Sequence, residues 1–154
     1  MHKVNYQNLI DPNKFQVFVF KSKANFPFIF AIHPWIVVNK KGEISRWEVA
    51  HSKNFKSEKS WGYLCKNLFP PFQGLNIFPF IDKPVFESTL IGTIEGDKAS
   101  EMIVLIENAP NSYPYLSRYN LWGPNSNTFV NYVINKFSEL NIKLPWNAFG
   151  KNYE

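Results

Sequence analysis

Residues 28–50 read FIFAIHPWIVVNKKGEISRWEVA and decide the fold of the chain. Two runs rich in aromatic and β-branched residues, 28–38 and 43–50, flank the turn signal Asn39-Lys-Lys-Gly42. This arrangement predicts a β-hairpin. Pro34 lies inside the first run and has no N–H to donate to a neighbouring strand. We therefore expect that strand to lie at a sheet edge or to be bulged at the proline.

The register of the hairpin brings a histidine and a carboxylate together. A loop of either Lys40-Lys41 or all four turn residues gives the same pairing, which places His33 opposite Glu48. Directly opposed residues share a face of the sheet, with β-carbons roughly 5 Å apart, so a carboxylate in this position orients an imidazole. A bulge at Pro34 would shift the register by one residue and would place Trp47 opposite His33 instead.

The rest of the chain predicts further strands and two helices. Strands are expected at 15–20 and 90–94, and a helix opens at Gly96-Asp97 and should end before Pro110. Four prolines and many aromatic residues in 51–88 indicate long loops with short strands. The predicted fold class is α+β: an antiparallel β-meander packed against two or more helices, in one domain covering 1–154.

The string Gly123-Pro-Asn-Ser-Asn-Thr-Phe129 precedes a strongly amphipathic helix. It places Ser126 at or near the helix N-terminus, where unpaired backbone amides and the positive end of the helix dipole stabilise a developing oxyanion. Ser126 is therefore a candidate nucleophile. The alternative is that Asn125, Ser126 or Thr128 simply caps the helix.

Composition excludes several classes of protein. Hydrophobic residues make up 45% and aromatic residues 18% of the 154 positions, which excludes a disordered chain. The single cysteine cannot form an internal disulfide, and no Cys or His spacing resembles a zinc site. We expect no cofactor and no metal.

Charge and hydropathy set expectations about location and partners. The net charge is +5, but the lysines are scattered in a manner typical of solvated loops, so no specific nucleic acid partner is expected. Residues 1–10 lack the apolar core of a signal peptide, and no apolar run approaches the length of a transmembrane span. We expect a cytoplasmic protein whose partner is a small-molecule, peptide or acyl ligand.

The order of these parts resembles that of circularly permuted papain-like proteins. In permuted relatives of the NlpC-type cell-wall peptidases and in lecithin-retinol acyltransferase-like proteins, a histidine strand precedes the nucleophile helix, which often begins with Asn-Cys-x-x-Phe. Here Asn125-Ser-Asn-Thr-Phe129 places serine in the cysteine position.

The chain resembles more narrowly an uncharacterised bacterial domain family of unknown function. The matching pieces span most of the chain: Phe30-Ala-Ile-His33 with Trp35, Trp47-Glu48-Val49, Tyr113-Pro-Tyr115 with Tyr119, Gly123 to Phe129, Leu144-Pro145 and Gly150-Lys151.

The resemblance implies a circularly permuted papain-like fold with Ser126 as nucleophile, His33 as general base and Glu48 as the residue that orients the imidazole. It implies a hydrolase or acyltransferase that acts on an amide or ester bond. The alternative is a papain-like domain without turnover that binds a peptide, lipid or acyl ligand in the inherited cleft, because serine is a weaker nucleophile than cysteine.

Supporting roles fall on two further groups of residues. Asn125, Asn127 and Thr128 support the motif, and the backbone amides of Ser126 or Asn127 face the oxyanion. The candidate substrate-binding residues are Trp35, Arg46, Tyr113, Tyr115, Tyr119 and Lys151.

Several of these residues have a simpler interpretation. Arg46 pairs equally well with Glu48 and would then neutralise it. The tyrosines pack on the first helix, and Lys151 locks the C-terminal tail. A rival constellation uses Cys65 as the nucleophile with His51, since a thiol is the more reactive group.

Overall fold

The computed structural model describes residues 4–53 and 55–154 of the chain. Within these residues it contains six strands and two α-helices: β1 Phe15–Lys23, β2 Ile32–Lys40, β3 Glu43–Val49, β4 Lys59–Trp61, β5 Leu64–Lys66, β6 Thr89–Glu95, α1 Asp97–Ser112 and α2 Ser126–Asn135. Short 3-10 segments occupy Tyr6–Leu9 and Ser138–Leu140. All strands pair antiparallel in the order β4-β5-β3-β2-β1-β6, so the α+β class is confirmed. The predicted meander holds only for β1–β3, because β5 pairs with β3 and β6 pairs with β1.

The central strands are buried on both faces, because side chains alternate across a strand and each face has its own cover. Val17, Ile36 and Val38 belong to the main core, which contains the buried residues of α1 and α2. On the opposite face, Phe18, Phe20, Trp35 and Val37 form a second cluster, packed beneath Tyr6, Ile10, Ile44, Phe72 and Leu90. This double cover accounts for the continuous apolar runs in β1 and β2.

The turn of the β2–β3 hairpin differs from the predicted one. Lys40 pairs with Glu43, so the loop is Lys41–Gly42. Both loop residues have positive φ, 51° and 99°, as a type I′ turn requires. This turn matches the right-handed twist of the strands and therefore fixes the register.

The predicted pairing of His33 with Glu48 is consequently wrong by two residues. Ile36 pairs with Trp47, and continuing the observed register by one step sets Trp35 opposite Glu48. The alternative Trp47 partner for His33 is also wrong. Because the error is an even number of residues, His33 and Glu48 still lie on the same face of the sheet, now as diagonal neighbours.

β2 lies in the middle of the sheet, so the predicted edge position is wrong for the strand as a whole. Pro34 pairs with Lys21 of β1, whereas the ladder to β3 begins only at Ile36. The proline therefore occupies the part of β2 that has a neighbour on one side, where the missing N–H leaves no ladder hydrogen bond unmade.

The helices and loops agree with the predicted order. α1 begins as predicted but continues through Pro110 to Ser112, so its predicted end is wrong. The proline lies in the last turn, and Ile106 and Ala109 are buried in the core beside it. Residues 51–88 contain the short strands β4 and β5 among long loops, as predicted. Of the described helices, not one has the length and apolar character needed to cross a bilayer.

The type I′ turn generates a stability prediction. We expect Gly42→Ala to lower the free energy of unfolding by about 1–2 kcal/mol, because a β-carbon is unfavourable at positive φ. The space around the position is not the cause, since an added β-carbon would meet Pro12 only at an ordinary 3.8 Å. Urea unfolding measures the loss. Gly42→Asn is the matched control and should lose less, because asparagine tolerates positive φ better; equal losses would contradict this account.

Candidate active site

A cavity of about 820 Å³ opens beside the start of β2. The polar residues in its wall include His33, Glu48, His51, Ser126 and Asn127. Most of the remaining wall is apolar and comes from the loops 24–31, 68–82 and 119–122 together with Phe149. The fold thus brings the three predicted catalytic residues, which are far apart in sequence, to one cavity.

Glu48 is held by a fully buried ion pair with Arg46. The two residues are two positions apart on β3 and so share a face, and Arg46 Nε donates to Glu48 Oε2. Arg46 Nη1 donates to the carbonyl oxygens of Pro70 at 2.8 Å and Gln73 at 2.5 Å. The guanidinium also lies 4.1 Å from the ring centre of Trp35. Arg46 therefore pairs with Glu48, which is the predicted alternative to a role in substrate binding.

The ion pair keeps Glu48 charged. Burial acts to raise the pKa of this carboxyl, but the Arg46 guanidinium and then His33 outweigh burial, and the net pKa lies below the usual glutamate value. A carboxylate sealed in the protein interior thus remains an anion at neutral pH.

His33 lies against this anion. Its Nε2 is 3.8 Å from Glu48 Oε1, which is close enough for an ion pair with a protonated imidazole but too long for a hydrogen bond. Both atoms are buried, and neither has a hydrogen-bond partner among the described residues. The ring also stacks on Trp35, with centroids 6.2 Å apart. Nε2 is therefore the ring nitrogen that faces Glu48.

Ser126 is the first residue of α2, but it does not cap the helix. The cap is Asn125, whose Oδ1 accepts hydrogen bonds from the backbone N–H groups of Asn127 at 3.0 Å and Thr128 at 3.3 Å. Thr128 Oγ1 in turn accepts from the backbone N–H of Asn125. Capping by Asn125 and Thr128 is therefore confirmed, and the side chain of Ser126 forms none of the cap's hydrogen bonds among the described residues.

The cap also decides which amide is available for an oxyanion. The N–H of Asn127 is engaged by Asn125, so this predicted donor is occupied. The N–H of Ser126 is in the first helical position, where no intrahelical acceptor exists. Of the two predicted amides, the one on Ser126 remains free to face a ligand.

The side chains of the motif fasten α2 to its neighbours. Asn127 Nδ2 donates to the carbonyl oxygen of Phe149 at 2.8 Å and lies 3.5 Å from that of Ile32, which directly precedes His33. Thr128 Oγ1 donates to the carbonyl oxygen of Gly150 at 2.7 Å. These contacts place the start of α2 beside the start of β2, and Ser126 and His33 both line the cavity there.

The predicted substrate-binding residues lie in different places. Tyr119 lines the cavity. Trp35 is buried beneath His33 and donates from Nε1 to the carbonyl oxygen of Pro71. Tyr113 and Tyr115 pack against one another away from the cavity, and Lys151 Nζ donates to the carbonyl oxygens of Leu144 and Pro145. Lys151 therefore holds the C-terminal tail in place, as its simpler interpretation predicts.

The rival nucleophile Cys65 is buried and does not line the cavity. It pairs with Glu48 across the sheet, and burial raises the pKa of its thiol to about 11. His51 does line the cavity, and burial followed by the charge of His33 lowers its pKa. Of the two residues of the rival constellation, only His51 thus reaches the cavity.

Sequence reasoning missed the aromatic residues that form the apolar wall of the cavity. Phe28 and Phe30 were assigned to the first strand of the hairpin, but β2 begins only at Ile32, and the two rings line the cavity. Phe26, Phe80, Trp122 and Phe149 join them. The available signal was the density of aromatic residues around prolines, which is typical of a lined cleft.

Comparison with known families identifies a match over most of the chain. A family model described as "Protein of unknown function (DUF3750)" matches residues 14–153, which is most of the chain. No curated protein and no solved structure shows significant similarity to the chain.

The buried ion pair predicts a change in the pH dependence of stability. We expect Arg46→Met to lower the free energy of unfolding at neutral pH by about 3–5 kcal/mol, because it leaves the Glu48 charge buried and unpaired. In the wild type the folded-state pKa of Glu48 is lowered, so its contribution is lost as the pH falls. In the variant, burial acts without Arg46 and raises that pKa, so stability should increase as the pH falls through the glutamate range.

Urea unfolding between mildly acidic and neutral pH measures how the free energy of unfolding changes with pH in the wild type and in Arg46→Met. The double variant Arg46→Met with Glu48→Leu removes both charges and serves as the control. It should recover much of the lost stability and lack the acid-side increase. A single variant whose stability also falls toward acid pH would contradict the assignment of Glu48 as the coupled group.

Proposed function

The chain belongs to the DUF3750 family of proteins of unknown function, and we propose that it is a hydrolase or acyltransferase of amide or ester bonds. Ser126 is the nucleophile, His33 the general base and Glu48 the residue that orients the imidazole. The observation that supports this proposal is that the hydroxyl of Ser126, left free by the helix cap, lines the same cavity as a histidine backed by a buried, ionised carboxylate.

The chemistry is acyl transfer through a covalent intermediate. Ser126 Oγ attacks the substrate carbonyl carbon while His33 Nδ1 accepts the hydroxyl proton. The Ser126 N–H and the N-terminus of α2 stabilise the oxyanion. His33 then donates the proton to the departing amine or alcohol, and water or a second hydroxyl or amine attacks the acyl-enzyme to release the product. Glu48 stabilises the imidazolium that forms between these steps.

We further propose that the fold is a circularly permuted papain-like one. The order of elements supports this, since the histidine strand β2 precedes the nucleophile helix α2, with strands β3–β6 and helix α1 between them in the chain. Serine in place of cysteine requires full general-base assistance, because its hydroxyl has no appreciable ionised fraction at neutral pH.

A second candidate is a papain-like domain that binds a peptide, lipid or acyl ligand without turnover. The contact that favours it is the Arg46–Glu48 pair, since a carboxylate shared with a guanidinium attracts an imidazolium less strongly. The 3.8 Å separation between His33 and Glu48 points the same way. Ser126→Ala distinguishes the candidates, because it abolishes turnover under the first and leaves ligand affinity largely intact under the second.

An activated serine predicts reaction with a fluorophosphonate. We expect intact-mass spectrometry to find one phosphonate adduct on the wild-type protein, because His33 removes the Ser126 proton as the hydroxyl attacks phosphorus. Ser126→Ala and His33→Ala should each abolish the adduct. Ser112→Ala, which alters an exposed serine at the end of α1, should retain it. An adduct that persists in Ser126→Ala would assign the reactivity to another residue, and no adduct at all would favour the binding domain.

Replacement of the nucleophile with the thiol of the permuted papain-like proteins provides a second test. In a Cys65→Ser background, Ser126→Cys should react with iodoacetamide at neutral pH on the order of tenfold faster than Cys65 does in the wild type. The helix N-terminus and His33 lower the pKa of a thiol at position 126, whereas burial raises that of Cys65. Adding His33→Ala should slow the reaction; a rate indifferent to His33 would contradict its role as base.

A further inference from the structure

Large apolar side chains stand exposed around the mouth of the cavity. We call six of them the aromatic rim: Phe26, Phe28, Phe30, Phe80, Trp122 and Trp146. Phe80 is 92% exposed, Trp146 81% and Trp122 65%. Soluble proteins rarely group such side chains without a binding partner.

Ring contacts through Phe149 connect four of the six rim residues, Phe28, Phe30, Trp122 and Trp146. Phe28 contacts Phe30, and Phe30 contacts Phe149, with ring centroids 6.2 and 6.1 Å apart. Phe149 also meets Trp122 at 5.5 Å and Trp146 at 6.4 Å. Phe149 therefore joins three separate segments of the chain into one apolar belt.

The belt continues into the cavity. Phe26, Phe28, Phe30, Phe80 and Trp122 line the cavity as well as its mouth. The volume of about 820 Å³ lies within the range of small-molecule pockets, and its walls are mostly apolar. An apolar chain would thus pass from the outer surface to the catalytic wall without crossing water.

Three lysines lie in the cavity wall or close to rim residues in the sequence. Lys56 lines the cavity, and Lys23 and Lys83 each lie three residues from a rim phenylalanine along the chain. Within the described part of the chain, none of these three lysines has a salt-bridge partner. Asp82 is the exposed acid in the cavity wall. In the cavity wall and next to the rim phenylalanines in the sequence, three lysines therefore outnumber this exposed acid, in a chain of net charge +5.

We propose that the aromatic rim is a docking surface for an anionic lipid bilayer and that a lipid acyl chain enters the cavity through it. Phenylalanine and tryptophan rings insert at the boundary of headgroups and acyl chains, while lysines beside them meet the anionic headgroups. The inference goes beyond the proposed acyl-transfer activity and does not require turnover, because docking depends on the rim alone.

The continuity of the rim with the cavity favours a bilayer over a second copy of the chain. A protein partner would cover the rings but would leave an apolar cavity beneath them unfilled. A second copy would also bring the same unpaired lysines together, which opposes association. Lipid meets both features, since acyl chains fill the cavity and anionic headgroups balance the charge.

Vesicle sedimentation tests the proposal with the full chain. We expect binding to vesicles of phosphatidylcholine mixed with phosphatidylglycerol, weaker binding to phosphatidylcholine alone, and weakening at high salt. Binding should shift the tryptophan emission to shorter wavelength, because Trp122 and Trp146 leave water. Phe80→Ser with Trp146→Ser should lower the partition coefficient about tenfold or more, and Lys83→Gln about fivefold.

Matched controls lie elsewhere on the surface. Val104 is 66% exposed on α1, so Val104→Ser removes a comparably exposed apolar side chain outside the rim. Lys41→Gln removes a charge in the hairpin turn, at the end of β2 remote from the cavity. Each control should change the partition coefficient by about twofold at most.

Three outcomes would overturn the proposal: no binding to either vesicle, equal binding by the rim variants and their controls, or a dimer in light scattering that Phe80→Ser dissociates. Ser126→Ala should bind vesicles as the wild type does. If Ser126→Ala did not bind vesicles, docking would depend on Ser126 and not on the rim alone. Because the vesicle assay does not use the fluorophosphonate readout, failure of docking and failure of catalysis are distinguishable.

Discussion

The buried ion pair between Arg46 and Glu48 is the interaction on which the site and the scaffold both depend. Removing two charges from water is costly, and here the cost is offset by two backbone carbonyls and by the stacked ring of Trp35. Those carbonyls belong to Pro70 and Gln73, so one guanidinium connects β3 to the long loop that covers the second face of the sheet. The same guanidinium keeps Glu48 charged beside His33. A change that loosened the loop would therefore also alter the electrostatic environment of the imidazole.

The sequence predicted the parts of this arrangement that local chemistry determines. The alternation of apolar residues and the turn signal identified the β2–β3 hairpin, and the Gly123 to Phe129 string located the start of α2. The register was misplaced because the two positive-φ residues of the turn are Lys41 and Gly42, and lysine is an uncommon residue at such a position. The face shared by His33 and Glu48 was nevertheless right, since a shift by two residues preserves the alternation of side chains.

What the sequence did not predict depends on contacts between distant segments. The cavity wall combines loops that begin near residues 24, 68 and 119, and no periodic pattern records that these loops meet. Trp35 and Arg46 look like surface-binding residues in isolation, yet both are fully buried because residues 70–73 fold over them. Their burial results from tertiary contacts with this loop. The aromatic content of the loops indicated only that some apolar surface would be covered.

The fastening of the C-terminal segment to α2 has a consequence for how the protein is made. Asn125, Asn127, Thr128 and Asn131 all donate side-chain hydrogen bonds to backbone carbonyls between Phe149 and Lys151. Gly150 fits against Gly123 so closely that an added β-carbon would lie 3.0 Å from its backbone. On the ribosome, the sheet and α1 emerge well before these carbonyls exist. The hairpin that bears His33 and Glu48 can thus form early during synthesis, whereas the environment of Ser126 is completed only after residues 149–151 have been translated.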